Sequence, residues 1–278
     1  MLELSIVKTM KTTLVIIGII LLIFVVGKIN LSIKFRNQVS HLFANTDNSN
    51  KIYAVTQIQG LPKPVQQYFK YVLKDGQPYI NSVRLRHNGL FKTDLKKDFI
   101  KIDGEQYFSA NKPQFIWKGE TSMFTARDFF IDDKGGLLVT LLSVYNIVDA
   151  KGASFNEGEL QRWLAESVWF PTNLLPSENV SWSPIDELSA KLSFKYKATA
   201  FDFIVRFNQI GEIVEIEGKR FMTANRKEKW VCKMANYQEQ NGMKIPISDQ
   251  AIWRLNEGDQ VYAKFELQKI EYNISEKF

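Results

Sequence analysis

Cysteine is almost absent: the 278 residues hold one, Cys232. That excludes an intrachain disulfide and a zinc site built on paired thiolates. It also excludes a lipidated-cysteine anchor, because no cysteine follows the hydrophobic N-terminal run. Histidine is nearly as scarce, with only His41 and His87, too few for a multi-histidine metal site. There is no G-x-S-x-G elbow, no P-loop, no Rossmann glycine fingerprint and no H-E-x-x-H, so the common hydrolase, nucleotide and zinc-protease signatures are all missing. No cofactor and no metal is therefore expected. Internal repeats and low-complexity tracts are lacking too.

A surplus of positive charge is also missing from most of the chain, although the formal net charge is +6. Residues 1–36 hold Lys8, Lys11, Lys28, Lys34 and Arg36 against Glu3 alone, which leaves only +2 for everything after them. The excess flanks the hydrophobic run, where it meets anionic head groups. The remainder has no basic character that would argue for nucleic acid.

What the chain does have is apolar and aromatic residues: 45% hydrophobic overall, with 20 Phe, 10 Tyr and 6 Trp. Such side chains favour strands and fill the interior of sheets. Between Lys11 and Lys28 runs the uncharged stretch Thr12 to Gly27. As a helix it spans roughly 24 Å, short of a hydrocarbon core of about 30 Å, and the flanking lysines snorkel to make up part of the difference. A cleaved signal peptide would need small residues in an A-x-A-like pattern after it. Gly27-Lys28-Ile29-Asn30-Leu31 has none, so an uncleaved single-pass anchor is expected. Basic residues on both sides give the positive-inside rule little purchase. The short tail ahead of a signal-anchor favours an extracytoplasmic soluble domain. Residues 1–11 then form a tail, 12–28 the transmembrane anchor, 29–50 a juxtamembrane helix and linker, and 51–278 a β-rich soluble domain. Leu31, Phe35, Val39 and Leu42 recur at helical spacing, and Asn45 to Asn50 reads as a polar break.

Within the soluble part, Val65, Tyr68, Phe69, Val72 and Leu73 predict a helix over 62–74 with one buried face. From about Tyr79 the period changes to two. Twelve strands are predicted, among them 82–92, 97–102, 105–109, 122–132 and 137–149. The expected turns include Asp103-Gly104 and Gly135-Gly136. A second helix is predicted over 157–168, capped by Ser154 with Glu157 or by Asn156 with Glu159. The fold class is mainly β: a curled antiparallel sheet or half-barrel with a few helices, preceded by one transmembrane helix.

The candidate chemistry is concentrated in Arg162-Trp163-Leu164-Ala165-Glu166-Ser167-Val168-Trp169-Phe170-Pro171. Arg162 and Glu166 are four apart and share a helix face. They are either a solvated ion pair or a polar spot inside an apolar pocket, where each must find partners or a ligand's polar group. Arg127 and Asp128 stand between Phe124 and Phe129 in an apolar strand; as strand neighbours they face opposite ways. Together with Leu61-Pro-Lys-Pro-Val-Gln-Gln-Tyr-Phe69, Pro113-Gln-Phe-Ile-Trp117 and Trp182, these motifs resemble an uncharacterised bacterial family, a domain of unknown function. The resemblance covers about residues 58–273 and brings no activity with it. It implies a fold similar to the half-barrels of periplasmic lipoprotein carriers, which hold acyl chains.

The leading expectation is a membrane-anchored module that binds a lipid-like or other apolar ligand in a concave sheet. Its aromatic lining would come from Phe115, Trp117, Phe124, Trp163, Trp169 and Trp182, and its polar anchors from Arg127, Asp128, Arg162 and Glu166. The alternatives are an enzyme using Glu166 with Arg162 or Asp128, and a cell-envelope scaffold binding a protein through a sheet edge.

Overall fold

The computed structural model describes residues 2–44 and 49–278. The expected polar break at Asn45 to Asn50 lies mostly outside the described residues.

The N-terminal run and the amphipathic stretch after it form one helix, α1 (Leu2–Ala44), of 43 residues. By length and composition it can cross a membrane, and none of its most apolar stretch is buried. Its last turns behave differently. Phe35, Val39, Leu42 and Phe43 are buried against Tyr107 and Ile116 on the outer face of the sheet. Each such side chain withdrawn from water contributes roughly 1.5–3 kcal/mol. The helix expected over 62–74 is α2 (Lys63–Val72), with Val65, Tyr68, Phe69 and Val72 on its buried face.

The strands are β1 (Ser82–Phe91), β2 (Ile100–Ser109), β3 (Gln114–Glu120), β4 (Phe124–Ile131), β5 (Lys134–Leu141), β6 (Tyr145–Lys151), β7 (Val180–Asp186), β8 (Ser189–Tyr196), β9 (Thr199–Phe207), β10 (Ile213–Thr223), β11 (Arg226–Gln240), β12 (Met243–Leu255) and β13 (Gly258–Tyr272). They form one antiparallel sheet in the order β6-β5-β4-β3-β2-β1-β13-β12-β11-β10-β9-β8-β7. Two meanders therefore meet where β1 pairs with β13, and the free edges are β6 and β7.

The chain crosses from one edge to the other through α3 (Ala153–Ala165) and two 3-10 turns, Glu166–Trp169 and Pro171–Leu174. α3 touches β3, β4, β5 and β6 from one meander and β10 from the other. The run Gly158 to Ala165 is buried without a break, so the helix sits inside the curl as a plug. A second clasp ties the meanders together: Tyr196 Oη donates to Asp133 Oδ1 at 3.0 Å, and Lys197 pairs with the same carboxylate.

Several expected boundaries differ from the observed ones, each for a physical reason. The expected turn at Asp103-Gly104 does not form, and β2 runs through it. Gly104 faces His87, and a Cβ there would lie 1.9 Å from Nε2, so the glycine makes room for an imidazole. Gly135 and Gly136 lie inside β5, and the turn falls earlier, at Asp132 and Asp133, which take φ of 50° and 64°. The expected strand 137–149 is cut into β5 and β6 by Leu142 and Ser143, both left-handed. β7 was not foreseen; Pro184 obscures its alternation and is tolerated because β7 is an edge. Neither expected capping box closes α3, which starts after Gly152 with no side-chain cap. Three of the four candidate side chains have tertiary partners instead: Asn156 accepts from the Gly135 amide, Glu157 pairs with Lys227, and Glu159 pairs with Arg220.

Candidate functional site

The curl of the sheet around α3 leaves a cavity of about 690 Å³. Phe124, Leu137, Val139, Ile147, Phe221 and Trp253 are among the side chains that wall it. At 690 Å³ it is within the ordinary range for small-molecule sites, about 300–1,000 Å³.

The polar groups of the cavity gather beside α3. Glu159, Arg162 and Glu166 follow each other at i, i+3 and i+7, so they form one stripe. Arg162 Nε donates to Glu166 Oε1 at 2.8 Å, and its Nη1 donates to Asp128 Oδ2 at 2.6 Å. Gln106 Nε2 holds the other Glu166 oxygen at 2.7 Å. The guanidinium lies 5.0 Å from the Trp117 ring centroid and 5.3 Å from that of Phe115, an additional attraction for a desolvated cation. Arg220, on β10, donates from Nε to the Gly158 carbonyl and from Nη2 to Glu159 Oε1, both at 3.0 Å, and lies over Trp230.

The cluster is short of donors. Four carboxyl groups, Asp128, Glu159, Glu166 and Asp249, line the cavity, with Arg162 and Arg220 among them and Lys97 further along the wall. Glu159 Oε2, Gln106 Oε1 and Asp249 Oδ1 are buried without a hydrogen-bond partner. Burial, reinforced by Asp128 and opposed by Arg220, pushes the Glu159 carboxyl up to about 8. Burial, with Glu166 adding to it, holds Asp249 well above the carboxylate range. Glu166 is also raised by burial, although Arg162 and Gln106 pull against it. Below Arg162, His87 is buried and accepts from Trp117 Nε1 at 2.8 Å; burial and then the nearby guanidinium lower it to about 3. It is therefore a neutral acceptor that orients Trp117. Among the described residues no three His, Cys, Asp or Glu come together as a metal-binding group.

Of the residues singled out in the sequence, Trp117, Phe124, Asp128, Arg162, Glu166 and Trp169 line the cavity. Arg127 does not: it points from β4 to the outer face, where Nη1 donates to Gln38 Oε1 of α1 at 2.8 Å. Trp163 is buried against Phe194, its Nε1 donating to the Ser109 carbonyl. Trp182 is buried beside Phe69 and Phe207, its Nε1 donating to the Leu174 carbonyl. Phe115 belongs to the core under Arg162. Gln106, Arg220 and Asp249 were missed, and Glu159 was read only as a cap. Asp249 did leave a signal. Ile247, Asp249, Ala251 and Trp253 alternate on one face of β12, a carboxylate in an otherwise apolar row.

The profile of a family of unknown function, DUF6544, matches residues 51–265. No curated protein matches the chain. Among solved structures, a LolA superfamily protein from Nitrosomonas europaea is similar at 10% identity and a TM-score of 0.43, over 76% of this chain and 92% of that one. A DUF1329 family protein from Desulfovibrio piger is similar at 6% identity and a TM-score of 0.40, over 70% of this chain and 87% of that one.

Proposed function

The chain belongs to DUF6544, a family of unknown function, and we propose that it is a membrane-anchored binding module for a lipid-like ligand. Residues 12–28 are the anchor, 1–11 a tail, 29–50 the juxtamembrane helix and linker, and 51–278 the extracytoplasmic binding domain. The ligand has an apolar body and a polar end that donates hydrogen bonds.

The observation that carries this reading is the composition of the cavity. Its walls match an acyl chain or comparable apolar body. At its polar end each arginine is already engaged through two nitrogens with protein acceptors. The buried side-chain atoms left unpartnered around it include oxygens of Glu159, Asp249 and Gln106, and Nδ1 of His87. A buried acceptor without a partner costs roughly 1–3 kcal/mol, and an amine or hydroxyl of a ligand removes that cost. A phosphate or carboxylate would instead compete with Asp128, Glu159 and Glu166 for the two arginines. Acid–base catalysis by Glu166 is less well supported, because Glu166 and Asp128 both spend an oxygen on Arg162.

The test is native mass spectrometry of the full chain purified in detergent, followed by lipid extraction. The expected result is a co-purified amphiphile bearing an amine or hydroxyl. It should be lost from Ala251→Trp, which fills the cavity. An empty cavity in the parent chain at every detergent tested would defeat the reading. Equal retention of a fatty acid would defeat its head-group part.

A further inference from the structure

Three contacts fix how the domain stands relative to α1. Near the end of the apolar run, Gly27 lies against the β5–β6 turn; a Cβ there would meet the Ser143 carbonyl oxygen at 2.5 Å. Eleven residues on, Gln38 accepts from Arg127 in the body of β4. Three further on, His41 Nε2 is 2.7 Å from Asp132 Oδ2, in the β4–β5 turn at the other end of that strand. Gly27 to His41 is about 21 Å of helix, and the eight residues of β4 span about 26 Å. The helix thus runs along the sheet from one end to the other. Residues 2–26 project beyond the end that carries the β3–β4 and β5–β6 turns.

The cavity reaches that end. Thr93 and Lys97 from the β1–β2 loop, Phe124, Ile147 and the β10–β11 turn residues Thr223 and Ala224 line the cavity. Beside Phe124 and Ile147 at that end, Met123, Leu142, Val144, Tyr145 and Ile147 itself are exposed, Tyr145 to 70%. They are contiguous, since the Leu142 amide donates to the Met123 carbonyl across the two turns. Exposed apolar residues scattered singly need no explanation, but a joined group beside a cavity does.

We infer that this apolar rim is a membrane-docking surface: it sits in the head-group region of the same bilayer that α1 crosses, and the cavity opens there. Ser143 contacts α1 at the last residue of the uncharged run Thr12 to Gly27, so a helix that spans carries the rim to the hydrocarbon boundary. The rim continues into the cavity wall through Phe124 and Ile147, so a lipid-like molecule passes from bilayer to cavity without crossing water. Docking rests on the anchor alone. Uptake from the bilayer rests, in addition, on the proposed function of the cavity.

The experiment uses the full chain in phosphatidylcholine nanodiscs. Val144→Cys and, at the opposite end of the sheet, Ile210→Cys are labelled with an environment-sensitive fluorophore; the unsubstituted chain, whose Cys232 is buried, serves as the blank. Both positions are exposed. Lipids carrying a spin label near the head group should quench the label at 144 several-fold more than that at 210. Equal quenching, or stronger quenching at 210, would overturn docking. Uptake is followed with N-phenyl-1-naphthylamine, delivered either from preloaded vesicles or from water. The double variant Met123→Asp, Leu142→Asp should slow delivery from vesicles several-fold and leave binding from water unchanged. Unchanged delivery from vesicles would overturn uptake through the rim. A parent chain that binds no reporter by either route would overturn the proposed function, while the quenching result would still decide docking.

Discussion

Arg127 and Asp128 are adjacent in β4 and serve opposite faces of the sheet: Asp128 accepts from Arg162 in the cavity at 2.6 Å, and Arg127 donates to Gln38 of α1 at 2.8 Å. One peptide bond therefore joins the polar end of the cavity to the contact with α1. This follows from strand geometry, in which successive side chains point to opposite faces. It also means that changes at the two positions should have separable effects, one on ligand retention and one on the seating of α1.

The ion pair in the cavity should be costly to break on one side only. The side chains of Arg162 and Glu166 are 11% and 15% exposed, so neither is well solvated. Removing one partner of a buried pair leaves an uncompensated charge and costs about 3–5 kcal/mol. Arg162→Met, which abandons both Glu166 and Asp128, should be more harmful than Glu166→Gln. The double variant should cost less than the sum of the two. Chemical denaturation of the full chain in detergent checks this; additive losses below about 1 kcal/mol would contradict it.

Stability should fall as pH rises through neutrality. The Glu159 carboxyl is raised from 4.5 to about 8 in the folded chain. Between those values the folded state holds a proton that the unfolded state has lost, so the contribution is fully present below pH 4.5 and disappears as pH passes about 8. The limiting slope for one such group is about 1.4 kcal/mol per pH unit. Asp249 acts in the same direction. Glu159→Gln should flatten the dependence of Tm on pH between 5 and about 8, and an unchanged profile would contradict the assignment.

Asp249→Asn should not destabilise the domain. Its buried Oδ1 has no partner to lose, and burial of the carboxyl is a standing cost. Thermal unfolding of the ligand-free variant is expected at an equal or higher temperature than the parent. The same variant should retain less of the co-purified amphiphile. A large fall in Tm would reveal a partner for Asp249.

Gly104→Ala should disturb the site from a distance. The added methyl would drive His87 off Trp117, whose ring lies under Arg162. Overpacking of this kind typically costs about 1–3 kcal/mol. The variant His87→Ala, Gly104→Ala should recover part of that loss, because the clashing ring is gone. No recovery in denaturation experiments would mean the clash is relieved elsewhere.

Legibility in the sequence followed the range of the interactions. Alternation in Val83-Arg84-Leu85-Arg86 identified a strand, and the 3.6-residue recurrence of Val65, Tyr68, Phe69 and Val72 identified a helix, because both patterns are local. The Arg162–Glu166 pair was legible for the same reason. Gly104 was misread as a turn because its cause, the His87 ring, is on another strand. Glu159 gave no hint of its role because its partner, Arg220, lies 61 residues away on β10. Trp163 and Trp182 were indistinguishable in sequence from Trp117 and Trp169, since composition does not say which wall of a curled sheet a ring belongs to.

The pairing of β1 with β13 at the centre of the sheet has a consequence for biosynthesis. Arg84 and Glu271, partners across that ladder, are 187 residues apart. On a ribosome, the first meander emerges with the inner edge of β1 open, and its partner is the last of these thirteen strands to be made. Loop closure over such a separation is slow, and an open strand edge is a template for the wrong neighbour. A nascent chain stalled before β13 should therefore be the most aggregation-prone species in the protein's life. Truncation from the C-terminus should cost more solubility than the few residues removed would suggest.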